Sequence, residues 1–199
     1  FTATSILSFC IGLILVNWGG PLILGLGVVS LLAALMYTGG PWPLSYYALG
    51  ELMAFVFFGP IAVWGSFYLQ SRSMSLTPIV LGVLPGLYSV ALMGLNNLRD
   101  RETDLEGNKM TLANLVPRKV FLIFLGLVIS SLVFFPLFLG FHLSLPEIAL
   151  SSLIPLLFFK TWKGILGDSQ ELNQYLPRIG QCLFMHTLFI SLCLIQSTH

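Results

Sequence analysis

Residues 76–109 read LTPIVLGVLPGLYSVALMGLNNLRDRETDLEGNK, and this stretch decides the fold. Its first part, Leu76 to Leu95, carries no charge and has the length a helix needs to cross a hydrocarbon core, about 17–25 residues. The remainder is the opposite. Of the eight acidic residues in the whole chain, Asp100, Glu102, Asp104 and Glu106 fall here within seven positions. An uncharged helix that runs straight into a dense charged segment reads as a membrane span delivering a polar site to the interface.

The same pattern repeats outward. Seven apolar stretches of spanning length occur, over residues 2–18, 21–37, 51–69, 76–95, 120–141, 145–161 and 179–195. They are too long, and too poor in polar/apolar alternation, for strands. The expectation is an all-α, multi-span transmembrane helical bundle forming one membrane domain over residues 1–199. Pro21, Pro78 and Pro146 fall at first-turn positions, where a missing N–H costs nothing; Pro136 lies inside a span and predicts a kink. Composition agrees. Of 199 residues 56% are apolar and only 9% charged, with a mean hydropathy of +0.92, against roughly 25% charged in a soluble domain. A net charge of +1 argues against nucleic acid as a partner. Cys10, Cys182 and Cys193 lie in apolar runs without metal-ligand spacing and read as small buried residues. No basic region followed by a small-residue cleavage site precedes the first apolar run, so no signal peptide is expected; the start at Phe1 reads as a cut.

Basic residues set the sidedness. The loops at 38–50, 96–119 and 162–178 share one side, with Arg99, Arg101, Lys109, Arg118, Lys119, Lys160, Lys163 and Arg178; the other side holds Arg72. The positive-inside rule predicts that the 96–119 loop faces the cytoplasm, in a bacterial inner membrane or, alternatively, a plastid one.

If the helix of residues 76–95 continues into the charged segment, Asn96, Asp100 and Asp104 stack along one face at four-residue spacing. Two carboxylates a turn apart suit a hard cation such as Mg²⁺, which takes one or two protein carboxylates and completes its shell with water and substrate phosphate. Arg99, Arg101 and Lys109 supply cations for a diphosphate, and Gly107-Asn108 ends the helix so that Lys109 can fold back. A solvated loop of mixed charge is the plain alternative. The near-absence of charge elsewhere favours a site.

The run Asn96-Asn97-Leu98-Arg99-Asp100-Arg101-Glu102-Thr103-Asp104, followed by Gly107-Asn108-Lys109-Met110-Thr111-Leu112, resembles the second aspartate-rich motif of the UbiA-type intramembrane prenyltransferases. Its double Asn and RDxxxD form resemble the menaquinone branch, the 1,4-dihydroxy-2-naphthoate prenyltransferases. Tyr37-Thr38-Gly39-Gly40-Pro41-Trp42-Pro43-Leu44, with Leu49-Gly50-Glu51 after it, is a second matching stretch. Pro41 stands where many relatives carry Lys, a change the menaquinone branch shares.

The resemblance implies nine helices and two aspartate-rich motifs in an intact member. The seven spans correspond to helices three to nine. Because Asp100, Asp104 and Asp168 are the only aspartates, residues 1–199 lack the first motif, as an N-terminally truncated chain would. The implied reaction is transfer of a polyprenyl group from its diphosphate to 1,4-dihydroxy-2-naphthoate with loss of CO₂, assisted by Mg²⁺ and embedded in membrane lipid. Asp100 and Asp104 would hold the metal, with Asn96 and Asn97 as partners of the metal or of its ligands. Arg99 and Lys109 would contact the diphosphate, with Arg101 either beside them or turned to solvent; Tyr37 and Glu51 would meet the aromatic acceptor. An acid at the start of a helix also serves as a dipole partner, so both readings of Glu51 stand. His186 reads as a hydrogen-bonded interior histidine, Trp42, Tyr46 and Trp162 as interface anchors, and Lys160, Lys163 and Arg178 as topological charges. Alternatives are a phylloquinone- or ubiquinone-type aromatic prenyltransferase, an inactive remnant, or a small transporter. A transporter predicts mid-membrane charges and repeated broken helices, which this sequence does not display.

Overall fold

The structure is a computed structural model that describes residues 2–39, 43–140, 142–167 and 171–197; Gly40, Pro41, Trp42 and Asp168 lie outside the described residues. Ten α-helices follow one another: α1 (Thr2–Thr38), α2 (Gly50–Phe58), α3 (Pro60–Ser71), α4 (Thr77–Arg99), α5 (Arg101–Glu106), α6 (Leu112–Leu115), α7 (Arg118–Phe134), α8 (Leu145–Leu157), α9 (Phe159–Leu166) and α10 (Leu176–Ser197). Short 3₁₀ turns cover Leu44–Tyr46, Phe135–Leu139 and Leu172–Tyr175. No strand forms among the described residues.

Among the described residues, five continuous helical segments are long and apolar enough to cross a membrane, and six are if the α8–α9 pair counts as one span. Two of the seven expected segments, residues 2–18 and 21–37, fall in the single helix α1, which is kinked at Gly20, whose φ of 67° and ψ of −161° leave the helical region. Only glycine adopts that φ at no steric cost, and Pro21 restarts the helix behind it. Residues 2–19 and 21–38 then line the two sides of one apolar cavity of about 370 Å³ with α3. The span of residues 51–69 is likewise broken, at Gly59-Pro60, into α2 and α3. The span of residues 145–161 reaches Leu166 but bends by 49° between α8 and α9, just beyond Pro155. Pro136 acts as expected: the α-helix gives way to a tighter 3₁₀ turn from Phe135.

Helix α4 is the hub, packed against α2, α3, α7 and α10. Lipid is as apolar as the side chains, so helices there associate through close packing and small residues rather than exclusion from water. Gly82 and Gly86 on α4 face the break at Gly59. A Cβ on Gly82 would come 2.6 Å from the Cα of Pro60, and one on Gly59 would come 2.6 Å from the carbonyl oxygen of Gly82. Three absent side chains therefore let the backbones touch, which fixes the register of α2 along α4. Leu84, Leu95, Phe121, Leu125 and Leu132 fill the interior behind this crossing, while Leu7, Trp18, Phe58, Ile123, Phe138 and Phe184 are exposed, as a lipid-facing exterior requires.

Inside the bundle, His186 is fully buried. Its Nδ1 lies 3.0 Å from the Tyr88 hydroxyl and its Nε2 2.9 Å from Ser151 Oγ, while Tyr88 also meets Cys182 Sγ at 3.1 Å. The interior-histidine reading holds. Of the cysteines, Cys182 and Cys193 are buried but Cys10 is exposed, and all three are free thiols. Trp162 departs from the interface reading. It is buried, and its Nε1–H donates at 2.8 Å to the Pro155 carbonyl oxygen, which also accepts the Phe158 N–H at 3.1 Å where the helix bends.

Candidate active site

Helix α4 ends at Arg99, yet helical hydrogen bonding runs through the junction: Asp100 N–H donates to Asn96 O at 2.9 Å and Asp104 N–H to Asp100 O at 2.8 Å. Asn96, Asp100 and Asp104 therefore keep their four-residue spacing. The helix stops at Gly107, and Asn108 turns the chain with a left-handed φ of 53°, which Asn tolerates better than most residues. Lys109 folds back as expected. Its N–H donates to Asp104 O at 2.8 Å, and its Nζ lies 3.2 and 3.3 Å from the two Asp104 carboxylate oxygens. Asn114 holds this return in place, donating from Nδ2 to Lys109 O at 2.7 Å and accepting the Thr111 N–H through Oδ1 at 2.9 Å.

Arg99 is arranged differently from Lys109. Its Nε and one terminal nitrogen each reach a different Asp100 oxygen at 2.6 Å, a bidentate fork, and the other terminal nitrogen donates to Asn173 Oδ1 at 2.8 Å. The fork holds the Asp100 carboxyl below the usual carboxylate range, with the charge of Lys109 adding a smaller push the same way. Arg101 turns away from both the cluster and solvent: it is half-buried and donates to Val116 O at 3.3 Å.

The second half of the cluster comes from the loop between α1 and α2. Ala48 N–H donates to Met110 O at 2.8 Å, and Tyr47 bridges Met110 in parallel, so the loops carrying Glu51 and Lys109 are stitched together. Ala48 takes a left-handed φ of 55° to make that contact. Glu51, in the first turn of α2, is only 4% exposed. Asn97 Nδ2 donates to its Oε1 at 2.8 Å, while Oε2 is buried with no hydrogen-bond partner among the described residues. Leaving a buried acceptor unpaired costs about 1–3 kcal/mol, and more when it is charged. A Cβ on Gly50 would stand 3.3 Å from the Tyr37 hydroxyl, 3.6 Å from Met93 and 3.7 Å from Asn97 Nδ2. Tyr37, Met93, Asn97 and Glu51 thus converge at one end of the α1–α2–α4 contact.

All eight expected site residues therefore belong to one end of the molecule: Tyr37, Glu51, Asn96, Asn97, Arg99, Asp100, Asp104 and Lys109. Asn97 points to Glu51 rather than to the aspartates. Met93, Asn114 and Asn173 were not expected here; Asn173 is 74 residues from Arg99, and no local pattern announces such a contact. Neither the cavity beside α1 nor a second apolar one of about 530 Å³ between α4 and α7 is lined by these residues.

No group of three acidic, His or Cys side chains that could hold a metal occurs among the described residues, so there is no closed protein cage. The donor set fits another mode: two hard carboxylates a turn apart, each now neutralised by a cation, as a metal arriving with phosphate oxygens would use.

The model of the UbiA prenyltransferase family matches residues 2–188. The chain belongs to the UbiA prenyltransferase family. Metal dependence is general in this family. Among curated relatives, the UbiA chain is 39% identical over 102 residues to a 1,4-dihydroxy-2-naphthoate octaprenyltransferase of Mycobacterium tuberculosis, covering 51% of this chain and 35% of that one. It is 42% identical over 89 residues to the Haemophilus influenzae protein of the same name, covering 45% and 29%. It is 33% identical over 129 residues to human UbiA prenyltransferase domain-containing protein 1, covering 64% and 36%. The chain thus spans about a third of the length of these relatives, and they support the menaquinone branch of the family. No solved structure matches it.

Proposed function

We propose that the chain is the prenyl-diphosphate half of a menaquinone-type UbiA site, transferring a polyprenyl group to 1,4-dihydroxy-2-naphthoate with loss of CO₂. One observation carries this reading. Asp100 and Asp104 sit a helical turn apart, and each is paired with a cation, Arg99 or Lys109, that can exchange a carboxylate for a phosphate. The names of the bacterial relatives support the choice of acceptor.

Asp100 and Asp104 would hold Mg²⁺, which when bound supplies positive charge where negative charge develops on the departing diphosphate. Arg99 and Lys109, released from their carboxylates, would turn to the phosphate oxygens; the planar fork of Arg99 already makes two parallel bonds. Asn97 holds Glu51, and Glu51 with Tyr37 forms the wall where the acceptor ring would lie. An allylic cation is captured by water, so the prenyl group would have to leave its diphosphate on the apolar, helix-facing side of the cluster. The excess of basic residues on this side of the spans supports a cytoplasmic site in a bacterial inner membrane.

The test is incorporation of labelled prenyl diphosphate into dihydroxynaphthoate by vesicles containing the chain. Inverted vesicles should be active and right-side-out vesicles inactive, with activity requiring Mg²⁺ and falling at least about a hundredfold in Asp100→Ala. Unchanged activity in that variant removes the site assignment. An inactive wild-type chain would make it the remnant considered above.

A further inference from the structure

Both oxygens of Asp100 are taken up by Arg99, one by Nε and one by a terminal nitrogen. A cation at Asp100 repels the guanidinium, so the fork opens when a metal binds. Arg99 then keeps one described partner, Asn173 Oδ1, which lies 2.8 Å from its other terminal nitrogen. A guanidinium has only donors, so the amide oxygen must be the atom that faces it. That oxygen carries no formal charge. It holds the guanidinium without cancelling its positive charge, whereas the Asp100 carboxylate cancels it, and an arginine must keep its charge to grip a phosphate.

The tether is anchored. Asn173 lies in the Leu172–Tyr175 turn between α9 and α10 and is itself exposed, but the turn around it is seated. Leu172 is buried, and the turn packs against α4, α9 and α10. The Tyr175 ring sits so close to Gly164 on α9 that a Cβ there would overlap it. An exposed hydrogen bond to a charged side chain adds little to stability. Its effect is on freedom of movement: arginine has large rotamer entropy, and a fixed acceptor limits where its head can go.

We propose that Asn173 is a positioning residue for diphosphate binding. When Asp100 takes up a metal ion, the Arg99 guanidinium pivots about Asn173 Oδ1 instead of swinging into solvent, and its two released N–H groups are presented to a phosphate. The identity of the ligand rests on the prenyl-transfer reading. The role of Asn173 extends the site to the α9–α10 connection, 74 residues from Arg99 and outside both the aspartate-rich turn and the loop before α2.

A double-mutant cycle isolates action through Arg99 from a structural effect of the turn. Farnesyl thiolodiphosphate, a non-reactive prenyl diphosphate, is titrated with Mg²⁺ into the purified chain in nanodiscs, as wild type, Asn173→Ala, Arg99→Ala and the double variant. Asn173→Ala should weaken binding about five- to tenfold in the wild-type background and by less than about twofold in the Arg99→Ala background. Its thermal midpoint should stay close to that of the wild type, because the bond it removes is exposed. Equal weakening in both backgrounds overturns the proposal, since Asn173 would then act on the structure and not through Arg99. Unchanged binding by Asn173→Ala in the wild-type background overturns it too. Both results leave the diphosphate reading standing if Arg99→Ala itself weakens binding. An Arg99→Ala chain with wild-type affinity, or a wild-type chain that does not bind the probe, removes that reading and the role of Asn173 with it.

Discussion

Arg99 and Asp100 are sequence neighbours that also form the tightest ion pair of the site, and Asn173 anchors the guanidinium from the far end of the chain. The pair has a direction in pH. Asp100 has its carboxyl held below the ordinary aspartate value, about 3.9, chiefly by the Arg99 fork. A depressed folded-state value contributes stability that is complete above the unfolded value and is lost as the pH falls through the folded one. Asp100 is therefore ionised, and able to hold a cation, down to a more acidic pH than a free aspartate. Arg99→Gln should move its titration upward, toward the ordinary value, as read from the ¹³C shift of the Asp100 carboxyl. An unmoved midpoint would show that the fork does not control it. The pair is partly exposed, with 33% and 40% of the side chains accessible, so the same change should hardly alter overall stability.

At the scale of elements, the site depends on how closely α2 and α3 approach α4. Glycines at 59, 82 and 86 permit this approach, and through it Glu51 comes to Asn97 across 46 residues. Gly82→Ala places a methyl carbon against the backbone of Pro60, where no side-chain rotation relieves it, and overpacking of this kind costs about 1–3 kcal/mol. Gly25→Ala is the contrast, because nothing lies within 4 Å of a Cβ there; in a helix interior the change should be neutral or stabilising by up to about 1 kcal/mol. Thermal unfolding in detergent should separate the two substitutions in sign. Equal responses would mean that the crossing is not tight. The spans themselves were legible because their cause is local: a run of apolar residues of spanning length. The aspartate-rich turn was legible for a similar reason, since few other residues in the chain can bind a cation. The Gly59-Pro60 break was passed over because hydropathy continues smoothly across it. The position of Trp162 was misread because its acceptor, the Pro155 carbonyl, depends on a bend that periodicity does not encode; the bond from Arg101 to Val116 O likewise joins residues that no local pattern pairs.

At the scale of the molecule, one buried network joins the helices that carry the site to those that close the bundle. Tyr88 belongs to α4, Ser151 to α8, and Cys182 and His186 to α10. With both ring nitrogens of His186 engaged, the network binds three helices in an environment without water. A hydrogen bond between membrane helices is worth only about 0.6 kcal/mol on average, so the network's larger effect is through what its loss would strand. His186→Leu takes the imidazole partner from the buried Ser151 hydroxyl and leaves Tyr88 with only the weakly accepting Cys182 sulfur, at about 1–3 kcal/mol, and the thermal midpoint should fall by several degrees. Adding Tyr88→Phe and Ser151→Ala removes the stranded groups as well, and exchange of both partners for apolar groups is nearly neutral. The triple variant should therefore unfold at a higher temperature than His186→Leu alone, although it has lost more hydrogen-bonding groups. Progressive destabilisation through the series would instead mean that each bond contributes directly, and that the network is a fastening rather than a set of mutually satisfied polar groups.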